Sequence, residues 1–251
     1  MTIFIMNWNW LDWTKKQAEF FTDCGHTVII VDNCSTYPPL LEWYKTCPYK
    51  VITTEGVELV TYNRFVWEMN LPELHTTDKY YGVTDSDLGF AGIPKDFAEV
   101  LVADIERTPT ILKSGFSLSI EDLPDNEYAV RYRKSESNNF SNKDEYGFYG
   151  IPLDTTFCVY SKDRCSNMDR THPVPGEVSP ELFYLDETYF YKSHRSPEPY
   201  MAKHLPWYMD INNLTEEQCY HISVSKHGSV YYFKEVYQKE LADRYNIILK
   251  R

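Results

Sequence analysis

Over roughly the first hundred residues, short apolar runs alternate with segments whose apolar positions recur at helical spacing. Residues 2–6 (TIFIM) form a β-branched and apolar run, and 12–24 carry Trp13, Ala18, Phe20 and Phe21 among polar neighbours, a strand followed by an amphipathic helix. Residues 27–31 (TVIIV) read as a second strand of the fully buried type, ending in the polar turn Asp32-Asn33-Cys34-Ser35-Thr36. Pro38 and Pro39 then open a helix through Lys45, because proline is tolerated in a first turn. Residues 49–53 predict a third strand. A third helix is expected over 58–69, with Leu59, Tyr62, Phe65 and Val66 as its stripe, and a fourth strand over 80–84. Strands that are apolar throughout, separated by helices, predict an α/β fold with a mostly parallel sheet covered on both faces.

Past the fourth strand the rhythm changes. Pro94 starts a helix to about residue 105, and 110–120 reads as one or two strands. The stretch 125–150 is polar and predicts a mobile surface loop. A strand is expected at 155–160, a proline-containing loop at 163–182, an aromatic strand or helix at 183–192 and a C-terminal helix over 229–250. No internal repeat or low-complexity tract interrupts the 251 residues, which predict one domain.

Charge narrows the partners. A net charge of −12 argues against nucleic acid, whose binding relies on lysine and arginine neutralising phosphates. A small phosphate-bearing ligand stays open if a metal supplies the positive charge. The start, MTIFIMNWNW, has no basic region before a long apolar stretch, and no window reaches the ~18 apolar residues of a membrane span, so a cytoplasmic location is expected. The six cysteines show no zinc-like spacing and read as reduced thiols. The 21 tyrosines and 6 tryptophans suit either a core and its rim or a sugar-lined site.

In open parallel sheets ligands bind beyond the carboxyl ends of the strands, so polar residues there are the first candidates. Thr84-Asp85-Ser86-Asp87 follows the fourth strand. A turn brings both carboxylates of this DxD toward one divalent cation, which can bridge and neutralise a diphosphate leaving group; the same string also occurs on ordinary surfaces. Asp32, Asn33 and Ser35 after the second strand suit a base edge or ribose hydroxyls, and equally suit any turn.

In order and spacing these residues resemble the GT-A glycosyltransferases. The segments VDNCSTYPPLLEWY, VTDSDLGF, SGFSLSIEDLPD, IPLDTTFCVY and PYMAKHLPWYMD, which run from residue 31 to 210, are similar to strings in a group of small bacterial and viral GT-A enzymes. The resemblance implies a single Rossmann-like domain, residues 1–251, with a nucleotide-binding half to about 105 and an acceptor half with a C-terminal extension beyond. It implies transfer of one sugar from a nucleotide-sugar, UDP-linked, to a glycan or glycoconjugate acceptor, with Mn²⁺ or Mg²⁺. Asp32, with Asn7, Asn33 and Ser35, would bind the nucleoside; Asp87 and Asp85 would hold the ion near the phosphates. Asn63 and Arg64 would meet the sugar or diphosphate, although an Arg on a helix is also an ordinary surface residue. Such enzymes often add a late histidine as third ligand. His204, in an aromatic segment with Pro206, is the choice among seven, against a role as a hydrogen-bonded structural imidazole. Lys203 could contact phosphate, but adjacent residues in extended chain face opposite ways. For catalysis the candidate acids are Asp154, Asp122 with its neighbour Glu121, and Asp186, each of which could instead cap a turn. The Gln-x-x-Arg-Trp string of processive members is absent, which favours single-sugar transfer. The late histidine leans toward retention, but inverting enzymes also use one.

Two other enzyme classes fit less well. A phosphatase-type DxD lies on the first strand, and a nucleotidyltransferase wants a Gly-rich loop near the N-terminus, where MTIFIMNWNW has no glycine. A non-catalytic carbohydrate-binding protein would be equally rich in Tyr and Trp, but such modules are usually antiparallel β.

Overall fold

The computed structural model describes residues 1–55, 65–141, 143–153, 156–166 and 193–249. Strands β1 (Thr2–Asn7), β2 (Thr27–Asp32), β3 (Lys50–Thr53) and β4 (Tyr80–Asp85) are interleaved with α1 (Asp12–Asp23), α2 (Pro38–Tyr44) and two short helices, α3 (Phe65–Glu68) and α4 (Leu71–His75). After β5 (Leu88–Gly89) come α5 (Phe97–Arg107), β6 (Lys113–Gly115), β7 (Ser117–Leu118), α6 (Glu127–Ser137), β8 (Cys158–Ser161) and α7 (Lys162–Ser166). The C-terminal part supplies β9 (Ser193–Arg195), β10 (Met201–His204), α8 (Glu216–Val224), α9 (Gly228–Val236) and α10 (Gln238–Tyr245).

Seven strands form one sheet in the order β3-β2-β1-β4-β8-β6-β9, parallel except where β8 runs against β4 and β6. This is the mostly parallel α/β sheet expected from the pattern. A second sheet of three strands, β5-β10-β7, sits beside it. The central strands are buried on both faces, and alternate residues serve different cores. Ile3, Ile5, Val28 and Ile30 pack with Phe21 of α1 and Phe97 and Leu101 of α5. Phe4, Met6, Ile29 and Val31 pack with Phe65, Val66 and Leu71 of α3 and α4. Because a one-residue slip would exchange these two sets, the sheet register is firmly set. Gly115 has no substitute: a Cβ there would lie 2.3 Å from the Phe157 carbonyl oxygen.

Three expectations are corrected. Residues 127–137 of the polar stretch form α6 rather than loop, started by Asn126, whose side chain accepts from the Ala129 amide at 2.9 Å. Its apolar contact is confined mainly to Tyr128 and Ala129, too short a stripe to stand out as periodicity. The single C-terminal helix is two, broken at Tyr237. Residues 163–166, expected as loop, belong to α7; the third helix is described from Phe65, inside its expected range, and Asn70 in left-handed conformation (φ 57°) separates it from α4. The expectations for 167–192, like the catalytic candidates Asp154 and Asp186 and the pair Asn63 and Arg64, lie outside the described residues.

Candidate active site

Parallel pairing brings the carboxyl ends of the first four strands to one line: Asn7 pairs with Asp32, Asp32 with Thr53, and Met6 with Asp85. The turns after β1 and β2 are built by side chains that bond backbone. Asn9, at φ 60° and fully buried, accepts from the Thr36 and Tyr37 amides at 2.6 and 2.9 Å, while its own amide donates to Ser35 Oγ at 2.8 Å. Asp32 is buried with both oxygens engaged. Oδ2 accepts from the Ser35 amide and Oδ1 from the Tyr44 hydroxyl, each at 2.9 Å. Burial, then the Asp32 charge, pushes the Tyr44 hydroxyl well above its usual range, so it stays a donor. Asn7 Nδ2 donates to Tyr44 Oη at 2.7 Å and to the Trp10 carbonyl at 2.9 Å. Asp32 and Ser35 therefore stand behind the site and shape it, which is the turn reading of that motif, while Asn7, Asn33 and Cys34 face the cleft.

The DxD forms the other wall. Gln17 of α1 donates to the carbonyls of Asp85 and Leu88, both at 3.0 Å, clamping the turn from below. Its second acid meets the C-terminal segment, because β10 pairs antiparallel with β5 and sets His204 opposite Leu88, while the Leu205 amide donates to the Asp87 carbonyl at 2.8 Å. His204 Nε2 lies 3.5 Å from Asp87 Oδ2. That is too long for a good hydrogen bond. Two ligand atoms each about 2.1 Å from one ion, roughly 90–110° apart, stand about 3.0–3.5 Å from each other. Asp87 Oδ1 and His204 Nδ1 are buried without a hydrogen-bond partner. The donor set of carboxylate oxygens and an imidazole nitrogen suits Mn²⁺ or Mg²⁺, with Asp85 on the same cleft wall.

Asp85, Ser86 and Asp87 open on a cleft of about 510 Å³, which His204 meets through Asp87 without lining it. More of its lining comes from residues that the sequence reading passed over: His221 at the C-terminal end of α8, then Lys226, His227 and the first residues of α9, Gly228 and Ser229. The His227 side chain makes no cap bond to α9, and Gly228 and Ser229 at the positive end of that helix line the cleft together with Lys226. Trp8 and Trp10 line it as well. The helix-breaking Lys-His-Gly-Ser string was the available signal for this wall. The Trp-Asn-Trp after β1 was the signal for the aromatic side.

No family model matches the chain, and neither does any curated protein sequence. Among solved structures, glucosyl-3-phosphoglycerate synthase from Mycobacterium tuberculosis, in complex with Mn²⁺, UDP and phosphoglyceric acid, superposes with a TM-score of 0.43 at 12% identity, over 66% of this chain and 57% of that one. The chain thus spans little more than half the length of that protein. The inositol-1-phosphate CTP transferase from T. maritima superposes with a TM-score of 0.36 at 13% identity, over 77% and 84%.

The remaining candidates lie elsewhere. Lys203, one residue before His204, is ion-paired with Asp122, and Tyr208 donates to the other Asp122 oxygen at 2.9 Å. The Lys203 ammonium, and to a lesser degree Tyr208, hold the Asp122 carboxyl below the usual carboxylate range. A separate group, Asp104, Asp144 and His194, has metal-like spacing. Its members are already engaged: Asp104 accepts from Arg107 at 2.6 Å, from Ser114 at 2.6 Å and faces His194 Nδ1 at 3.1 Å, and Asp144 caps the amides of Tyr146 and Phe148. That arrangement is a structural network around a buried carboxylate. Among the described residues no helix is long and apolar enough to cross a membrane.

Proposed function

We propose that the chain is a metal-dependent glycosyltransferase that moves one sugar from a nucleotide-sugar, UDP-linked, to a glycan or glycoconjugate acceptor. The observation that carries this reading is the approach of Asp87 Oδ2 to His204 Nε2, 3.5 Å apart, with Asp85 and Asp87 on a cleft that Lys226 also lines. Asp87 and His204 would hold the ion directly and Asp85 through water, and the ion when bound neutralises charge on a departing diphosphate. The start of α9 and Lys226, both lining the cleft, supply amide and ammonium donors suited to the same phosphates. Asn7, Asn33 and the two tryptophans form the nucleoside side, with Asp32, Ser35 and Tyr44 positioning them. Lys203, held by Asp122, is assigned to the acceptor side, since it and His204 occupy successive positions of one strand. The acid that assists the attacking hydroxyl is one of Asp122, Asp154 and Asp186, and the Asn variant that loses kcat with donor KM kept identifies it.

A panel of UDP-, GDP- and CDP-sugars incubated with Mn²⁺ tests the reading by release of nucleoside diphosphate. Release from UDP-sugars that stops with chelator is expected. Pyrophosphate formation from a nucleoside triphosphate and a sugar phosphate, with no diphosphate release from any sugar nucleotide, would overturn it.

A further inference from the structure

Helix α1 buries Thr14, Gln17, Ala18 and Phe21, the i, i+3, i+4, i+7 spacing of a single inward stripe. Gln17 is the anomaly in it. At 2% exposure it places a full amide where leucine or methionine would pack as well and strand no acceptor, whereas Gln17 Oε1 is buried with no hydrogen-bond partner. Since an unpaired buried acceptor is costly, the value of the side chain lies at its other end. Gln17 Nε2 donates to the carbonyls of Asp85 and Leu88, both at 3.0 Å, which are the first and last residues of the turn that carries the DxD. The rest of that turn is tied to other elements. The Ser86 amide donates to the Met6 carbonyl of β1 at 3.0 Å, the Leu205 amide to the Asp87 carbonyl at 2.8 Å, and the Thr84 hydroxyl gives the Asp85 carbonyl a second donor at 3.0 Å. Gln17 grips both ends of the turn at once.

We infer that Gln17 is a positioning residue of the ion site: by holding both ends of the 85–88 turn it sets the spacing and angle between the Asp85 and Asp87 carboxylates. This rests on the metal-dependent reading above. Gln17 touches neither ion nor nucleotide and acts through the backbone that carries the two acids. The consequence is selectivity among ions. Mg²⁺ demands near-ideal octahedral geometry at about 2.0–2.1 Å, whereas Ca²⁺ accepts more oxygens in looser arrangements. A turn held at both ends suits the exacting ion, and a turn released at both ends still serves the tolerant one.

The test is a titration of UDP with Mg²⁺, Mn²⁺ or Ca²⁺, and of UMP with chelator present, on the wild-type chain and on Gln17→Met, which keeps the length of the side chain and removes both donations. On the variant, UDP binding with Mg²⁺ or Mn²⁺ should fall about tenfold, the usual loss when a group supporting a metal ligand is removed, while binding with Ca²⁺ should stay within about threefold and that of UMP unchanged. If Gln17→Met does not fold, Gln17→Glu takes its place. Buried against two carbonyl oxygens, that carboxyl is protonated and keeps one of the two donations, so the same order of ions should appear with a smaller loss. A loss equal for all three ions, or one that UMP shares, is what a merely structural residue gives, and it overturns the positioning role while leaving the metal reading intact. Unchanged Mg²⁺-dependent binding in either variant overturns it as well. If Ca²⁺ supports no binding on the wild type, UDP with Mg²⁺ against UMP is the deciding pair. Wild-type UDP binding that ignores chelator overturns the metal reading and this inference together.

Discussion

The two ends of the chain contribute to the site in opposite ways. The described part of the first hundred residues is a β/α stack in which Asn7, Asp32 and the DxD stand at or just after strand ends, so a rule about strand ends finds them. Residues 193–249 contain two short strands and three short helices, yet they supply His204, His221, Lys226 and the start of α9. The N-terminal part offers carboxylates and a turn; the C-terminal part offers the imidazoles, the cation and the helix end that complement them. A regular scaffold advertises its functional positions, whereas a segment that wraps around the scaffold acquires them through contacts of long sequence separation.

The largest expected effect tests whether the two parts share one ion. Asp87→Ala and His204→Ala should each weaken Mn²⁺-dependent UDP binding by about 100-fold, on the order of 3 kcal/mol, and the double variant should lose little more, because groups that hold one ion act as a unit. Losses that add, or nucleotide binding unchanged by chelator, would separate the halves again. Next comes the weld between them. Glu217→Ala leaves two amides at the start of α1 without their buried acceptor, and should cost about 2–3 kcal/mol in urea unfolding, far beyond an exposed glutamate. A change within about 0.5 kcal/mol would mean that α8 merely rests on the scaffold.

The third outcome is a pH slope that belongs to the C-terminal segment. His221 is neutral in the fold down to about pH 3, whereas in the unfolded chain it takes up a proton near 6.5. The unfolded state therefore binds more protons between those values, and the contribution, complete above pH 6.5, is lost as pH falls through that window. Between pH 7 and 5 it amounts to about 2 kcal/mol at 1.36 kcal/mol per unit. His221→Phe should flatten the slope in denaturation curves measured at pH 7, 6 and 5, and an unchanged slope would place its source elsewhere. Smallest is the surface pair: Lys203→Met should alter stability by less than about 1 kcal/mol, since exposed ion pairs contribute little, and should leave UDP affinity unchanged. A tenfold loss of UDP binding would move Lys203 to the phosphates.

How much the sequence disclosed follows the same division. The sheet was legible because its strands are apolar on both faces, and Asp85 and Asp87 because they follow a strand directly. His204 was singled out among seven histidines for its aromatic, proline-containing neighbourhood, and the fold sets it 3.5 Å from Asp87. Asp32 was legible as a polar strand end, but whether its carboxylate faces a ligand or its own turn is decided by Tyr44 and the Ser35 amide, partners set by the fold. The lining from Lys226 and Gly228 stayed hidden because they read as a helix boundary and nothing more until α8 places them. Helix α6 was concealed by a surface-rich composition with only two buried residues in its first turn.

The Glu217 carboxylate that receives the first amides of α1 comes from 205 and 206 positions further along the chain. During synthesis, then, the opening helix is made long before its anchor exists, and closing that span carries an entropic penalty that only the finished chain can repay through packing. The β1, β2 and β4 layer can assemble on its own local logic, but the cleft takes shape only once the last quarter of the polypeptide has docked. A chain lacking residues 193–249 would display the acidic strand ends without the other side of the cleft that those residues build.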